Sequence, residues 1–230
     1  MLIAGLQKLT LLDYPGKIAC IVFTQGCNFA CGYCHNPEMI PLIQEVKSGV
    51  DEKAFFTFLS SRGNLLDGVV ISGGEPTLQR DLSVFMQKIK QLGFLVKLDT
   101  NGSNPQIVQE LFREGLVDYL AMDIKATLPK YKDLVKNDVA EKISESVRII
   151  MESGVDYEFR STIFPSCHSE DDIREMGNLI HGAKNWYLQN FRPLKTLHPS
   201  FKNKASFTSD ELLHLKNIAK QYAEHVEIRS

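Results

Sequence analysis

The sequence predicts an α/β fold with parallel strands. Short apolar runs alternate with longer amphipathic segments along the 230 residues, and this alternation is typical of strand–helix–strand units with right-handed crossovers. The first run, at residues 17–24, is nearly continuously apolar, as strands of parallel sheets are because both of their faces are buried. Since 43% of the residues are hydrophobic, enough for one sizeable core, we predict a single domain over residues 1–230.

Six strands and six helices are predicted after an apolar lead-in at residues 1–17, which a Tyr14-Pro15-Gly16 turn closes. The strands are expected at 17–24, 68–72, 94–99, 119–124, 157–163 and 186–191. The helices are expected near 51–61, at 81–92, from 104 to 115, in a segment ending near 154, and from 169 and 208 onward. Thr208 and Glu211 form a capping box at the last helix. Residues 192–230 contain an irregular loop, this helix and a tail.

Composition argues against several classes of protein. The net charge of −2 shows no excess of basic residues of the kind that nucleic-acid-binding proteins carry. No apolar run approaches the ~20 residues of a membrane span. The first residues lack the charged region and apolar core of a signal peptide, so a cytoplasmic protein is expected.

Three of the five cysteines, Cys27, Cys31 and Cys34, lie within eight residues. They directly follow the first predicted strand, and chemistry in α/β barrels takes place on the loops that follow strands. Thiolates bind zinc and iron–sulfur centres. Three thiolates leave one position of a four-iron cluster without a protein ligand, and an open position is typical of catalytic metals. The spacing therefore favours a three-thiolate iron–sulfur site.

Other interpretations of the cysteines stay open. A structural zinc site needs four ligands, and the nearby fourth candidate, His35, points away from its neighbour Cys34 in an extended segment. A disulfide is disfavoured by the odd cysteine count and the lack of a secretory signal. Cys20, inside the first predicted strand, is expected to be a core thiol. Cys167 could face the site, but a thiol without a part in it is favoured because no second cysteine accompanies it.

The cysteine segment resembles that of a known family. The spacing Cys27-x3-Cys31-x2-Cys34, with Tyr33 before the last cysteine, looks like the signature of the radical S-adenosylmethionine superfamily. The flanking Gln25-Gly26 and His35-Asn36 are similar to those of activating enzymes of glycyl-radical enzymes. The lead-in resembles the subgroup that activates anaerobic ribonucleoside-triphosphate reductase, in its residues Leu6-Gln7-Lys8-Leu9 and Asp13-Tyr14-Pro15-Gly16-Lys17. Activases often carry Asp-Gly-Pro-Gly where this chain has Asp13-Tyr14-Pro15-Gly16.

This resemblance implies a partial six-stranded (β/α)6 barrel with the cluster loop after its first strand. It also implies one [4Fe-4S] cluster held by the three cysteines, with S-adenosylmethionine bound at the open iron. One electron would cleave S-adenosylmethionine to methionine and a 5′-deoxyadenosyl radical, which takes a hydrogen atom from a glycine of a partner enzyme. A strongly reducing donor such as flavodoxin or ferredoxin is expected. Only Cys20 and Cys167 remain outside the motif, so further clusters are excluded by counting.

The resemblance also implies which residues contact S-adenosylmethionine. They lie on the cysteine loop and at or near the ends of later strands, and they are Tyr33, Gly73, Gly74, Glu75, Asp99, Lys125 and Arg160. Two consecutive glycines let backbone approach a ligand closely, although a plain connecting turn would contain them equally well. Asp123 and Lys125 share one face of their strand; if paired with each other, they would be a buried ion pair, which is a costly arrangement. Arg160, a cation in an apolar strand, needs an anion nearby.

The favoured function is an activase of anaerobic ribonucleoside-triphosphate reductase, and three alternative functions stay open. They are an activase of another glycyl-radical enzyme such as pyruvate formate-lyase, a small-molecule radical enzyme such as 7-carboxy-7-deazaguanine synthase, and a zinc-stabilised binding module.

The loop at residues 192–209 has four basic residues and no acidic residue. The basic residues are Arg192, Lys195, Lys202 and Lys204. It is either a solvated loop or a docking surface for an acidic patch on the partner.

Overall fold

The computed structural model describes residues 1–42 and 49–229, and within them it contains eight strands and seven α-helices. The strands are β1 (Ile3–Thr10), β2 (Ala19–Thr24), β3 (Gly68–Gly73), β4 (Leu95–Thr100), β5 (Tyr119–Asp123), β6 (Asp156–Ile163), β7 (Ala183–Asn190) and β8 (Ala223–Arg229). The helices are α1 (Glu52–Ser60), α2 (Leu82–Gln91), α3 (Pro105–Arg113), α4 (Leu128–Val135), α5 (Ala140–Glu152), α6 (Glu170–Leu179) and α7 (Ser209–Ala219).

All eight strands belong to one sheet, in which they follow each other in chain order. Strand β1 is antiparallel to β2, whereas the pairs β2–β3, β3–β4, β6–β7 and β7–β8 are parallel. The predicted α/β class is therefore confirmed. The structure adds two strands to the six that were predicted: the lead-in forms β1, and the tail forms β8. Because β1 and β8 are edge strands, their mixed polar and apolar residues do not read as the buried runs typical of a sheet interior.

The segment before Gly154 contains two helices rather than the one that was predicted. The break between α4 and α5 lies at Lys136, whose φ of 60° is left-handed. This conformation is uncommon for a residue with a side chain and ends a helix. The predicted capping box of Thr208 and Glu211 is confirmed, and Ser169 forms a second one with Asp172. Among the described residues, no helix combines the length and apolarity needed to span a membrane.

The chain divides into two compact units. Unit 1 comprises Met1–Asn28, Glu38–Thr100 and Gln106–Leu120, and unit 2 comprises Phe29–Pro37, Asn101–Pro105 and Ala121–Ser230. The boundary within the sheet falls inside β5.

Unit 1 uses the lead-in as part of its core. Tyr14 is 3% exposed and packs with Ala19, Ile21 and Val70. Its ring centroid lies 5.9 Å from that of Tyr119. Burial of so large a side chain contributes on the order of 2 kcal/mol to folding. The tyrosine that departs from the Asp-Gly-Pro-Gly pattern therefore has a structural role in this unit.

Unit 2 is built around β6, β7 and β8. Trp186 is fully buried, and its indole Nε1 donates a hydrogen bond to Ser161 Oγ at 2.9 Å. The end of β8 is fixed to β6 because the Arg229 guanidinium donates two hydrogen bonds, each 2.8 Å, to the Glu158 carboxylate. The same guanidinium stacks 3.4 Å from the ring centroid of Tyr187. These contacts extend the sheet of this unit beyond the last predicted strand.

Candidate cofactor site

In unit 1, the start of the cysteine loop is held by backbone hydrogen bonds. The N–H groups of Gly26 and Cys27 donate to the carbonyls of Met39 and Ile40, at 2.8 and 3.0 Å. The Gln25 side-chain amide donates to the carbonyls of Glu38 and Pro41 at 3.1 and 2.9 Å. Gln25 and Gly26 therefore fix the place at which Cys27 leaves β2.

The two glycines that follow β3 pack against this loop start. Gly73 has a φ of 117°, and a Cβ atom there would lie 2.3 Å from the Thr24 nitrogen. A Cβ atom at Gly74 would lie 2.1 Å from the Gly26 carbonyl oxygen. Real Cβ atoms do not come so close to backbone, so both positions require glycine for the packing of the chain on itself. This packing requirement is compatible with the predicted close approach of the backbone at Gly73 and Gly74 to a ligand.

Glu75 is fully buried at the end of the same strand. Its Oε1 accepts hydrogen bonds from the Thr77 backbone N–H at 3.1 Å and from the Thr100 hydroxyl at 2.7 Å. The carboxylate thereby caps the short 3-10 helix Pro76–Leu78 and ties it to the end of β4. Its position and orientation are set by the protein before any ligand binds.

Asp99, in β4, is paired with a lysine that the sequence interpretation missed. The Lys97 ammonium donates to Asp99 Oδ1, and the Lys97 side chain is only 1% exposed. It also lies 5.9 Å from the ring centroid of Tyr119. A buried ammonium is stable only with such partners. The spacing of Lys97 and Asp99, two residues apart on one strand face, was the available signal.

In unit 2, the rest of the cysteine loop forms a tight turn, in which the Cys34 N–H donates to the Cys31 carbonyl at 3.0 Å. A Cβ atom at Gly32 would lie 2.4 Å from the Phe201 ring, so the glycine lets this ring cover the loop. Tyr33 is 6% exposed, and its ring packs 5.4 Å from Phe164 and 6.2 Å from Phe201 between centroids. These aromatic contacts orient the loop.

The Tyr33 hydroxyl is buried and has no hydrogen-bond partner among the described residues. Burial raises the pKa of this phenol well above its usual value, and the neighbouring Lys125 charge opposes that shift. An unsatisfied buried hydroxyl costs about 1–3 kcal/mol, and a bound ligand group is one way to satisfy it.

Asp123 and Lys125 form an ion pair at 2.9 Å, and Arg160 joins it. The Arg160 Nε donates to Asp123 Oδ1 at 3.1 Å, so the anion that Arg160 needs is Asp123. Burial alone would raise the Asp123 pKa, but the charges and hydrogen bonds of Lys125 and Arg160 outweigh it and lower the pKa to about 2. Asp123 also holds the pKa of Lys125 well above its usual value, against burial. The three groups are thus all charged at neutral pH.

The backbone of Lys125 is held on both sides. Its N–H donates to the Tyr131 hydroxyl at 2.9 Å, and its carbonyl is 3.0 Å from the His168 Nε2. The Phe164 N–H donates to His168 Nδ1 at 3.2 Å, so Nε2 carries the proton of a neutral imidazole. Neither Tyr131 nor His168 was predicted as part of the site, because their partner is backbone and no side-chain motif signals it.

We expect the neutral form of His168 to make stability depend on pH. Burial lowers its pKa below the usual 6.5, so the unfolded chain takes up a proton first as the pH falls. The free energy of unfolding should therefore be unaffected by this group above pH 6.5, and should decrease from there through the folded-state pKa. Urea denaturation across this range, compared with a His168→Gln variant, measures the effect. The same pH dependence in both proteins would contradict the assignment.

The remaining candidates are placed as follows. Cys20 is fully buried in β2, which confirms it as a core thiol. The His35 ring stacks on Phe191, with its Nε2 3.1 Å from the Arg192 carbonyl. Cys167 is half-buried, and burial raises its pKa. Within residues 1–42 and 49–229, no group of three or more His, Cys, Asp or Glu side chains has the arrangement of a metal site.

The residues of unit 2 fit the cofactors that the sequence implies in two respects. Cys31 and Cys34 are soft ligands of the kind that iron–sulfur clusters use. The unpartnered Tyr33 hydroxyl and the charged group of Asp123, Lys125 and Arg160 offer polar contacts to a zwitterionic ligand. The assignment of Cys27, Cys31 and Cys34 as cluster ligands remains a prediction.

Comparison with known proteins identifies the family. The model of the Radical SAM superfamily matches residues 21–180. A protein of Methanocaldococcus jannaschii named a glycyl-radical enzyme activating enzyme is 34% identical over 100% of this chain and 96% of its own length. The pyruvate formate-lyase-activating enzyme of Clostridium pasteurianum is 27% identical over 85% of this chain and 82% of its own length.

Among solved structures, SuiB of Streptococcus suis is similar with a TM-score of 0.65 and 15% identity. The match covers 91% of this chain and 48% of SuiB, and it shows a shared fold. The chain thus belongs to the Radical SAM superfamily and is an enzyme of that family, whose members use a [4Fe-4S] cluster and S-adenosylmethionine.

Proposed function

We propose that this chain is the activating enzyme of a glycyl-radical enzyme. The observation that carries the proposal is the 34% identity, along the whole of both chains, to the archaeal protein of that name. The glycyl-radical protein would be the substrate, and because the reaction would be radical chemistry at the cluster, no residue is proposed as a general acid or base.

The proposed ligands of the cluster are Cys27, Cys31 and Cys34, and the proposed contacts of S-adenosylmethionine are Tyr33, Gly73, Gly74, Glu75, Asp99, Lys125 and Arg160. When bound, the cluster and S-adenosylmethionine supply a one-electron reductive cleavage whose radical product takes a hydrogen atom from a glycine. The protein's share is binding, orientation and exclusion of water. Lys125 and Arg160 present positive charge that Asp123 orients, which suits the carboxylate or ribose oxygens of the ligand.

For the partner, we propose anaerobic ribonucleoside-triphosphate reductase, with flavodoxin or ferredoxin as electron donor. The similarity of the lead-in to that subgroup supports this choice. Tyr14 of the lead-in is also a core residue of unit 1, so this part of the lead-in has a structural role whichever partner is activated. The partner therefore has to be identified by reaction rather than by motif.

The test is an anaerobic activation assay. The protein is reconstituted with iron and sulfide, reduced, and mixed with S-adenosylmethionine and either anaerobic ribonucleoside-triphosphate reductase or pyruvate formate-lyase. We expect an electron paramagnetic resonance signal of a glycyl radical on the reductase, with methionine and 5′-deoxyadenosine as products. A reductase whose radical glycine is replaced by alanine is the matched control and should give no signal.

Other outcomes would assign the chain differently. A glycyl radical on pyruvate formate-lyase alone would retain the activase and change its partner. Cleavage of S-adenosylmethionine without a glycyl radical on either protein would favour a small-molecule radical enzyme such as 7-carboxy-7-deazaguanine synthase. A colourless protein that contains zinc and does not cleave S-adenosylmethionine would overturn the proposal in favour of a binding module.

A further inference from the structure

Lys97 is a buried cation that the proposed reaction does not use. Its side chain lies in β4 of unit 1 and is 1% exposed, and its chain neighbours Val96 and Leu98 are both fully buried. A lysine is almost never buried to this degree unless its charge is paired. In the part of the chain that the structure describes, its ammonium pairs with Asp99 Oδ1 at 2.5 Å. The two side chains therefore have to be considered together.

The ammonium of this pair lies in apolar surroundings. Lys97 is opposite Val70 in the register of β4 and β3, and Val70 packs in the core cluster that contains Tyr14. The Lys97 Nζ is 5.9 Å from the ring centroid of Tyr119, which packs against the same cluster. Aliphatic and aromatic neighbours do not replace the hydrogen bonds that an ammonium makes in water, so the carboxylate of Asp99 is what stabilises it there.

The pair is asymmetric, because its carboxylate is more exposed than its ammonium. The side chain of Asp99 is 11% exposed, against 1% for Lys97. Asp99 lies near the carboxyl end of β4, and ligands of α/β sheets bind at that end of the strands. The next residue, Thr100, donates to Glu75 Oε1 at 2.7 Å. The strand end is therefore held through Thr100, and the Asp99 side chain is held through Lys97.

A buried pair of this kind contributes little to the stability of a fold. The cost of removing both charges from water offsets most of their attraction, and apolar residues of similar volume are often as stable in the same place. A long apolar side chain at position 97 would suit the surrounding core at least as well. The charge of Lys97 is therefore better explained by its effect on the Asp99 carboxylate than by folding.

We propose that Lys97 is a positioning residue for the binding of S-adenosylmethionine and that it acts through Asp99. Its ammonium holds Oδ1, so the carboxylate meets the hydroxyl or ammonium donors of the ligand in one orientation. Fixing a contact group before the ligand arrives lowers the entropic cost of binding. In this role Lys97 does not touch the ligand, and no bond forms or breaks. The inference rests on the proposed function, in which Asp99 is a contact of S-adenosylmethionine.

The test is a double-mutant cycle in which affinity is measured without turnover. The reconstituted protein is kept oxidised, so that S-adenosylmethionine binds without being cleaved, and the dissociation constant is measured by calorimetry. Lys97→Met and Asp99→Asn should each weaken binding about tenfold. The protein with both changes should bind as Asp99→Asn alone does, because Lys97 acts through a carboxylate that is then absent.

Stability is the second readout, and it should not follow affinity. Lys97→Met leaves the Asp99 carboxylate without its ammonium and should lower the urea concentration at the midpoint of unfolding. Adding Asp99→Asn should restore part of that midpoint while the affinity stays low. If Lys97→Met has no cooperative unfolding transition, Lys97→Gln replaces it with the same expectations.

Lys90→Met is the matched control. Lys90 pairs with Asp118 at 2.6 Å in the same unit, and Asp118 also accepts a hydrogen bond from the backbone of β4, at Val96. The control therefore removes a lysine from a carboxylate that contacts the same strand. Its affinity for S-adenosylmethionine should equal that of the unmodified protein.

Three results would overturn the inference while the proposed function stands. They are an unchanged affinity in Lys97→Met beside a weakened Asp99→Asn, a further loss of affinity in the double variant, and an equal loss in Lys90→Met. Unchanged affinity in Asp99→Asn would overturn the inference together with the assignment of Asp99. If the unmodified reconstituted protein does not bind S-adenosylmethionine, the proposed function itself fails, and the inference fails with it.

Discussion

Replacing Cys31 by alanine is expected to remove the brown colour and the iron of the anaerobically reconstituted protein. The loss of one of three thiolates leaves a four-iron cluster with two open positions. The two remaining thiolates are too few to retain the cluster. Iron content should fall from about four atoms per chain to less than about one. Reductive cleavage of S-adenosylmethionine should become undetectable. The measurements are iron analysis, the visible absorption spectrum and the yield of 5′-deoxyadenosine.

Cys167→Ala is the matched control for this prediction. Cys167 belongs to the same unit and is a half-buried thiol, but it lies outside the three-cysteine motif. Its removal should leave iron content and cleavage unchanged. A Cys31→Ala protein that still binds about four irons, or a Cys167→Ala protein that loses them, would refute the ligand assignment.

Replacing Arg229 by methionine is expected to destabilise the protein strongly. It removes two hydrogen bonds from Glu158, whose side chain is fully buried. Breaking a buried ion pair from one side costs about 3–5 kcal/mol. We expect a decrease of about 3 kcal/mol in the free energy of unfolding, since the Arg229 side chain is itself 32% exposed. Urea denaturation of the full chain measures it.

Two further variants distinguish the cost of leaving the buried Glu158 carboxylate unpaired from the cost of losing any ion pair. Arg148→Met breaks an exposed pair with Glu152 on α5, and it should cost less than about 1 kcal/mol. In the double variant Glu158→Gln and Arg229→Met, no buried carboxylate is left without its guanidinium, so part of the stability should return. Equal losses in the Arg229 and Arg148 variants would show that the burial of Glu158 has no energetic consequence.

Much of the fold could be predicted because local pattern is sufficient for interior strands. The apolar runs near residues 68–72 and 119–124 correspond to β3 and β5 with differences of one residue at their ends. The edge strands could not be predicted in the same way. β8 has a charged residue at every second or third position, and it becomes a strand through its pairing with β7 and the contact of Arg229 with Glu158. That contact joins residues 71 positions apart.

In the candidate site, too, some features follow from local sequence pattern and others depend on contacts between distant residues. Alternation along one strand was sufficient to pair Asp123 with Lys125, since both side chains leave the same face. The same rule pairs Lys97 with Asp99, which lie two positions apart on β4. The support of Lys125 by His168 could not be inferred, because it depends on a backbone carbonyl 43 residues away in the chain.

The sequence by itself determined the parallel α/β class and the three closely spaced thiols, since both depend on residues that are near each other along the chain. The tertiary structure decided which charges pair and which aromatic ring covers Gly32. It also decided that the Tyr33 hydroxyl is buried with no hydrogen-bond partner among the described residues. Pairing and burial depend on which distant segments are packed together. A local pattern carries no information on that choice.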